Sequence, residues 1–543
     1  MTEFAMELDT DMSSLLAHLN LLQDDSSTRD ASEITATPVF TEAVRKYAAT
    51  HPDDPYTQHG LLGGDANKMT GTMFNGSFLL AENDPRVYYN IAAPSSVFIC
   101  GSQGSGKSHT LSCLLENCLI PSEANVLPRP LTGIVFHYDT FISDTGGAPC
   151  EAAFLSSHNS NIVRVLCPPT NIGQIQRIYS KLPNVRVEAL QFDEADLNTR
   201  RMMDLMAVSS VQGGMPLYLH VVTRILRELR ISQQENGGTF NYDAFKRALA
   251  LEDLSPGQKG PLQQRLETLE SFMVEEQVPN GDLLAKKMLA KKKKFKGSIR
   301  RGNDWKPKAG ELTIVDLSCP CVTAESACAL FNICLSMFLE QRSDVGRVIA
   351  LDEAHKYMTD TAECATLTES LLSAIRLQRH LGARVIISTQ EPTISPKLLD
   401  LCSVTIVHRF TSPDWIRNLK QHLAGATILN RGAEMTTHGK QGASLGPSSF
   451  SSELQDSGME LFSNIVALRT GEALMFAPSA ILTVKGQGAT KQSTTASATG
   501  TVDSTCGSGA GSNVELVRLG HGVMKIRIRH RITQDGGRSI MAG

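Results

Sequence analysis

The sequence predicts an α/β fold, in which a mostly parallel sheet carries helices on both faces. A short apolar segment at 97–100 breaks into a glycine-rich loop, and apolar residues then recur at helical spacing over 111–118. Further apolar, β-prone segments follow at helix-length separations, as they do in parallel sheets. One of them, 347–351, ends directly in Asp352 and Glu353. Strands that alternate with helices in this way favour one layered core.

The loop after the first strand matches the phosphate-binding pattern G-x-x-x-x-G-K-[ST]. Its glycines allow backbone N–H groups and the start of the next helix to face a β-phosphate. We expect Lys107 to reach the β- and γ-phosphates of ATP, and Ser108 to bind Mg²⁺. The expected nucleotide-binding residues are Gly101, Ser102, Gln103, Gly104, Ser105, Gly106, Lys107, Ser108 and His109.

Polar residues follow two later strands, and their types suit phosphate hydrolysis. We expect Asp352 to hold Mg²⁺ in its outer shell and Glu353 to polarise the attacking water. Gln390 follows the strand at 383–388 and is the expected sensor of the γ-phosphate. Simpler roles stay open, because the acids also suit the first turn of a helix and Gln390 suits a polar strand cap.

The elements predict a RecA-like three-layer core, with one strand inserted between the two that carry the nucleotide motifs. The predicted strands cover 97–100, 133–138, 163–166, 185–190, 312–317, 347–351, 383–388 and 404–408, with helices at 324–341 and 366–381. The predicted organisation is a disordered tail (1–35), a small lid segment (36–95), the first part of the ATPase core (96–194), a mainly helical insertion (195–310), the second part of the core (311–482), a Gly/Ser/Thr linker (483–513) and a basic strand-like tail (514–543).

Composition is that of an intracellular enzyme, either nuclear or cytoplasmic. The chain has 543 residues, 41% of them hydrophobic, and a net charge of −4, so any nucleic-acid contact must come from local patches or an assembled pore. The 12 cysteines are scattered among apolar runs, and Cys319, Cys321 and Cys328 lack the second ligand pair of a zinc site. With no signal peptide and no long apolar stretch, we expect no membrane partner.

Two basic segments have open interpretations. The lysine-rich run at 286–301 suits a solvated helix or loop, a DNA contact or a nuclear import signal. Near the C-terminus, isoleucines alternate with Lys or Arg over 525–532, which predicts a strand with one apolar and one cationic face. Such a strand suits either a nucleic-acid contact or docking at a sheet edge with its basic face solvated.

Together, the motifs resemble the HerA/FtsK class of hexameric DNA-pumping ATPases, with the HerA branch as the nearer relative. The resemblance covers roughly 95–125 and 310–482 and rests on segments 101–108, 351–355, 376–382, 388–392, 407–409 and 471–474. It implies a ring that hydrolyses ATP, double-stranded DNA as a substrate, and an arginine that acts in trans on the neighbouring subunit's nucleotide. By that resemblance Arg379 is the first candidate for this catalytic arginine and Arg376 the second. A helix-end arginine that neutralises the helix dipole is the simpler alternative.

The sequence also departs from the family and leaves other functions open. The segment before Gly101 does not read as the β-barrel that usually precedes a HerA core, and the insertion at 195–310 has no match in the family. A DEAH-box helicase is disfavoured, because Glu353 lies too far from Lys107 for one helicase lobe and no second lobe is recognisable. The main alternative to a motor is a nucleotide-gated scaffold or switch that recruits protein partners through its insertion and tails.

Overall fold

The computed structural model describes residues 18, 26–50, 54–69, 84–143, 146–158, 162–206, 217–278, 301–359, 361–423, 459–486 and 514–536. Most of the basic run at 286–301 and most of the predicted linker lie outside these residues. The same holds for most of the N-terminal tail.

One large sheet organises the described residues, in the order β15-β14-β1-β3-β2-β16-β13-β12-β4-β11-β10-β6-β9-β7-β8, with β5 beside β2. The strands are β1 Val39–Thr41, β2 His59–Asp65, β3 Arg86–Asn90, β4 Ser96–Cys100, β5 Asn125–Val126, β6 Thr132–His137, β7 Ile162–Cys167, β8 Val185–Ala189, β9 Glu311–Asp316, β10 Arg347–Leu351, β11 Ala383–Thr389, β12 Val404–Val407, β13 Glu472–Phe476, β14 Ile481–Gly486, β15 Val514–Arg518 and β16 Met524–Ile528.

The half of the sheet from β8 to β12 is parallel. Within it, β11 lies between β4 and β10, with Thr389 opposite Cys100 and Ile387 opposite Leu351. The strand insertion that the sequence predicts is therefore confirmed. Because the strands are parallel, the loops after β4, β10 and β11 all leave from the same sheet edge.

Helices cover both faces of this parallel half, whereas the helices Glu42–Ala48 and Ala66–Met69 pack on the other half of the sheet. The described helices are α1 Ser26–Ala36, α2 Glu42–Ala48, α3 Ala66–Met69, α4 Lys107–Leu119, α5 Ile172–Tyr179, α6 Thr199–Met206, α7 Leu217–Asn236, α8 Tyr242–Ala250, α9 Pro256–Ser271, α10 Ala324–Glu340, α11 Ala362–Arg376, α12 Gln378–Leu381, α13 Pro396–Leu401 and α14 Pro413–His422. A further helical segment covers 459–466.

Side chains of the central strands alternate between two apolar layers, as the pleat requires. In β4, Val97 and Ile99 pack on the layer that holds α4, whereas Phe98 packs on the layer that holds α10 and α11. Both faces of these strands are buried, which explains their near-continuous apolar sequence. The three-layer α/β fold predicted from the sequence is confirmed.

The region predicted as an insertion contributes to the core. Its helices α6 to α9 place apolar residues such as Met202, Val222, Phe245 and Leu266 in the layer of α10 and α11. This region therefore thickens one face of the sheet.

The C-terminal basic strand occupies an unexpected position. β16 pairs with β13 on one side and β2 on the other, so it lies inside the sheet and not at an edge. The chain then crosses α4, where the side chains of Arg529 and Arg531 are 7% and 2% exposed. Docking at a sheet edge is therefore wrong for this strand, and a solvated basic face is wrong for these two arginines. Arg527 on β16 is exposed, as the prediction of a solvated basic face requires. Arg529 and Arg531 both face the buried carboxylate of Glu116, because a buried cation needs a counter-charge.

Among the helices that the structure describes, none combines the length and the apolar character needed to cross a bilayer.

Candidate functional site

The glycine-rich loop joins β4 to α4 and has the backbone of a phosphate-binding turn. Gly106 precedes the helix with φ of 113°, and Gly101 has φ of 152°. A Cβ on Gly101 would lie 2.7 Å from the Cβ of His408, so a larger residue there would meet both strain and a clash. The free N–H groups of the first turn of α4 meet this loop, as anion binding requires.

The side chain of Lys107 is buried against the glycine-rich loop. Its ammonium donates to the backbone oxygen of Ser102 at 3.1 Å, and the residue is 3% exposed. Burial lowers the pKa of Lys107, while the charges of Glu353 and Asp352 act in the opposite direction. Lys107 follows β4 and the two acids follow β10, with only β11 between these strands, although more than 240 residues separate them in sequence.

His408 packs against the glycine-rich loop and makes a polar contact through each of its ring nitrogens. Its Nδ1 lies 3.0 Å from the backbone oxygen of Glu472, and its Nε2 lies 2.9 Å from Oγ1 of Thr110. A carbonyl only accepts, so Nδ1 carries the proton and donates to Glu472. The hydroxyl of Thr110 lies between two acceptors, Nε2 of His408 and the backbone oxygen of Gly106 at 3.1 Å. The backbone oxygen of Arg409, the residue after His408, accepts from both N–H and Oγ of Ser102. The end of β12 thus fixes the phosphate-binding loop through the histidine ring and the main chain.

Asp352 is buried at the end of β10, with 2% exposure. Its Oδ2 lies 3.3 Å from Nδ1 of His137 and accepts from Sγ of Cys150 at 3.6 Å. Burial alone would raise the pKa of Asp352, but His137 and Cys150 outweigh it and the pKa is lowered. The residue is therefore a carboxylate at neutral pH, as a cation-binding role requires.

Glu353 and Gln390 meet directly. The amide Nε2 of Gln390 donates to Oε2 of Glu353 at 3.0 Å, and Nε2 of His355 lies 3.4 Å from the same oxygen. Glu353 has φ of 49°, a strained conformation for a residue with a side chain, and such strain is concentrated at functional sites. The backbone N–H of Gln390 donates to Nδ1 of His355, so the ring proton is on Nε2 and faces Glu353.

The side chain of His109, expected to bind nucleotide, takes part in another contact. Its Nε2 lies 2.8 Å from the backbone oxygen of Arg529. Glu116 on the same helix accepts from Nη1 of Arg529 at 2.8 Å and from the backbone N–H of Thr533 at 3.1 Å. Any contact between His109 and a phosphate would therefore use its backbone N–H. The chain after β16 is held along the helix that begins with Lys107.

Arg376 and Arg379 do not belong to this cluster. Both are exposed and lie just before β11, whereas Gln390 follows the other end of that strand. Seven residues of β11 separate the two ends by roughly 20 Å. Neither arginine is placed to act on a nucleotide at Lys107 of the same chain.

The donor set at the loop fits Mg²⁺. Ser108 stands in the first turn of α4, and Oδ1 of Asp352 is buried without a hydrogen-bond partner. Mg²⁺ prefers hydroxyl, carboxylate and water oxygens of this kind. Ser108 and Asp352 would hold the ion, which would supply charge neutralisation at the phosphates.

Sequence reasoning missed several residues of this site. His355 follows Glu353 by two residues in the conspicuous segment 351–355, so its position could have indicated a role in the site. His408 lies in the segment 407–409 on which the family resemblance rests, but nothing in its local sequence indicated a contact with Thr110. His137 and Cys150 had no signal, because only the folded chain brings them to Asp352.

Comparisons with known proteins found likenesses among solved structures. No family model matches the chain, and no curated protein does. VirB4 of Thermoanaerobacter pseudethanolicus shares 12% identity, over 71% of this chain and 88% of that chain, with a TM-score of 0.33. The plasmid coupling protein TrwB, solved with an ATP analogue, shares 14% identity, over 66% of this chain and 80% of that chain, with a TM-score of 0.34.

A third likeness covers less of the chain. The genome packaging NTPase B204 of Sulfolobus turreted icosahedral virus 2 shares 13% identity, over 31% of this chain and 64% of that chain, with a TM-score of 0.20. Because all three TM-scores are below 0.5, the fold is assigned from the strand order and the loop of the chain itself. With β11 between the strands that carry the glycine loop and the acidic pair, the chain has the RecA-like fold of a P-loop NTPase.

Proposed function

We propose that the chain is an ATPase motor of the HerA/FtsK class, which hydrolyses ATP at the subunit interfaces of a ring and moves DNA. The observation that carries the proposal is the meeting of two distant motifs at one sheet edge. Lys107 follows β4, Asp352 and Glu353 follow β10, and β11 lies between these two parallel strands. Gln390, after β11, donates to Glu353 at 3.0 Å. These groups supply the parts that phosphoryl transfer needs, namely a cation for the phosphates and a carboxylate for the water.

Each residue has a role in this proposal. The loop and Lys107 bind the phosphates, with Ser108 as a ligand of the magnesium ion and Asp352 in its outer shell. Glu353 accepts a proton from the attacking water, and Gln390 holds that carboxylate and the water in line. Before ATP binds, the Lys107 ammonium is held by the Ser102 carbonyl, and phosphate oxygens are stronger acceptors that would take its place.

The position of the arginines supports action between subunits. Arg379 is exposed at the sheet edge opposite to its own phosphate loop, so in a ring it would face the nucleotide of a neighbour. A guanidinium contributes a fixed fork of donors to the phosphoryl oxygens and stabilises charge only once the ring is assembled. Arg376, one turn earlier, is the second candidate.

DNA as the substrate rests on the motif resemblance. Its test is the ATPase rate of the full chain with and without double-stranded DNA, together with particle size in the presence of an ATP analogue. We expect DNA to stimulate hydrolysis and ring-sized particles to form. A monomer whose slow hydrolysis ignores DNA would refute the motor and favour the nucleotide-gated scaffold.

The role of Arg379 is tested by mixing subunits. Arg379→Ala should retain ATP binding and lose turnover, as should Glu353→Gln, and a mixed ring should recover activity where an intact arginine meets an intact glutamate. Arg417→Ala is the matched control, because this exposed arginine lies on α14 and pairs with Asp414 on its own helix. If no mixing ratio restores activity, the interface role is refuted.

A further inference from the structure

A buried cluster of three different ligand types lies beside the proposed nucleotide site. His137 ends β6, Cys150 lies in the loop region before β7, and Asp352 follows β10. Their donor atoms all lie within 4.8 Å of one another. Among the described residues, this is the one group of three or more His, Cys, Asp or Glu side chains with that spacing.

The separations within the cluster match those of ligands around one tetrahedral ion. Zinc bonds of about 2.0–2.1 Å to N or O and about 2.3 Å to S place N and O about 3.4 Å apart, and S and O about 3.6 Å apart. Nδ1 of His137 lies 3.3 Å from Oδ2 of Asp352, and Sγ of Cys150 lies 3.6 Å from the same oxygen. One ion can therefore reach all three atoms with little side-chain movement.

Two atoms of the cluster lack a well-aligned hydrogen bond. Oδ1 of Asp352 has no hydrogen-bond partner, and Nδ1 of His137 faces only the carboxylate oxygen Oδ2 of Asp352 at 3.3 Å. The two residues are 2% and 7% exposed. An unsatisfied buried polar atom costs about 1–3 kcal/mol, so its retention needs a reason. Binding of an ion through Nδ1 of His137 supplies one.

A buried pair of hydrogen bonds holds the backbone of Cys150 in place. The hydroxyl of Tyr179 accepts from the backbone N–H of Cys150 at 3.0 Å and donates to Oδ2 of Asp316 at 2.6 Å. Both contacts are buried, and Asp316 ends the strand next to β6. Second contacts of this kind orient the first ligands of protein metal sites.

We propose that His137, Cys150 and Asp352 form a binding site for one Zn²⁺ ion, which shares Asp352 with the magnesium site at Ser108. Thiolate and imidazole ligands favour zinc, whereas Mg²⁺ binds oxygen and is not retained by sulfur. On binding, the Cys150 thiol releases its proton to solvent and its sulfur forms the bond to zinc. The redox state of zinc and sulfur does not change.

The site also gives zinc a means to regulate ATP hydrolysis, and this part of the inference rests on the proposed function. Zinc at Oδ2 draws negative charge from the carboxylate that would serve the magnesium ion. Two dications on one carboxylate also repel each other. Zinc occupancy therefore weakens the binding of Mg-ATP and lowers turnover. By linkage, bound Mg-ATP weakens zinc binding by the same factor as zinc weakens the binding of Mg-ATP.

The test is a zinc titration of the full chain without nucleotide, after treatment with chelator and reductant, in competition with a chromophoric zinc indicator. We expect one ion per chain. Cys150→Ser should weaken binding at least about 100-fold, because removal of a direct ligand exceeds the 10–100-fold loss typical of outer contacts. Cys321→Ser is the matched control: that cysteine is exposed, and its loss should leave binding unchanged.

A spectroscopic readout guards against misfolded variants. Bound Co²⁺ should give a thiolate-to-metal charge-transfer band in the wild type and in Cys321→Ser, but not in Cys150→Ser. His137→Gln should weaken zinc binding while its circular dichroism remains that of the wild type. Absence of a tight site, or equal affinity in Cys150→Ser, would overturn the proposal and leave a hydrogen-bonded triad.

The effect of zinc on ATP hydrolysis is measured separately from zinc binding. Zinc should lower the ATPase rate of the wild type but not the residual rate of Cys150→Ser, each compared with its own zinc-free rate. If the wild type binds zinc without inhibition, the regulatory part is refuted. If zinc binds and no ATPase activity exists, the proposed function fails while the metal site stands.

Discussion

Acid should weaken the fold at the phosphate-binding loop through one buried histidine. His408 is completely buried beneath Gly101 and Gly106, and burial lowers its pKa to about 4, against 6.5 for an exposed imidazole. The charge of Lys107 acts in the same direction. Between pH 6.5 and 4 the unfolded chain binds a proton at this residue that the native chain does not. The contribution of His408 to the free energy of unfolding is therefore complete above pH 6.5. It is lost as the pH falls from 6.5 to 4.

The size of the loss follows from the two pKa values. At pH 5 an imidazole with pKa 6.5 is almost fully protonated, whereas one with pKa about 4 is about one-tenth protonated. The ratio of their binding polynomials at pH 5, compared with pH 7, corresponds to about 2 kcal/mol of unfolding free energy. Because His408 is fully buried, solvent screening does not reduce this figure.

The assay is urea unfolding at pH 7 and pH 5, followed by tryptophan fluorescence. In a Trp305→Phe background the signal comes from Trp415, whose ring centroid lies 5.5 Å from that of Phe410, two residues after His408. Other groups also titrate in this range, so the quantity of interest is a difference. The loss between pH 7 and pH 5 should be about 2 kcal/mol smaller in His408→Gln than in the parent.

A control separates this effect from histidine titration in general. His521 is exposed before β16, so His521→Gln should keep the full pH dependence of the parent. If His408→Gln loses as much stability on acidification as the parent does, the histidine is not held neutral by burial. The account of how β12 supports the loop would then be wrong.

Further predictions concern the catalytic groups and the C-terminal segment. Lys107→Ala should lower ATP turnover at least about 100-fold, measured by phosphate release, because one preorganised charge is lost from the transition state. Glu353→Gln should retain bound ATP in a filter-binding assay while hydrolysis falls by a similar factor, and rapid turnover in this variant would exclude Glu353 as the base. Glu116→Ala should destabilise the chain by about 3–5 kcal/mol in urea unfolding, because it leaves Arg529 buried without its carboxylate, and a change below about 1 kcal/mol would show that this ion pair is not needed.

Much of the fold could be predicted because its signals are local. The glycine spacing before Lys107 and the apolar strands need only short stretches of chain to be recognised. The register confirms the inserted strand, since β11 pairs with both β4 and β10. The contact between Glu353 and Gln390 follows from this order, because neighbouring parallel strands end at the same edge.

Other contacts could not be predicted, because they depend on side chains from distant segments. The alternating Lys and Arg residues over 525–532 fit a solvated basic face as well as a buried strand. Burial of Arg529 depends on Glu116, which is more than 400 residues away in sequence. The carboxylate of Glu116 supplies the counter-charge that allows the Arg529 guanidinium to be buried. The motif resemblance made Arg379 a candidate for the arginine that acts in trans. Only the structure shows that Arg379 precedes β11 and therefore lies at the opposite end of this strand from its own nucleotide loop.

The sequence by itself determined the α/β class, the phosphate-binding turn and the strand that carries the acidic pair, since each depends on residue types at short, regular spacing. Only the tertiary structure decided that β16 lies within the sheet, that His408 supports the loop, and that His137 and Cys150 meet Asp352. The reason is physical. Buried polar groups need partners, and in these cases the partners lie on distant segments of the chain. The residue pattern within one segment does not indicate which distant side chain will be the partner.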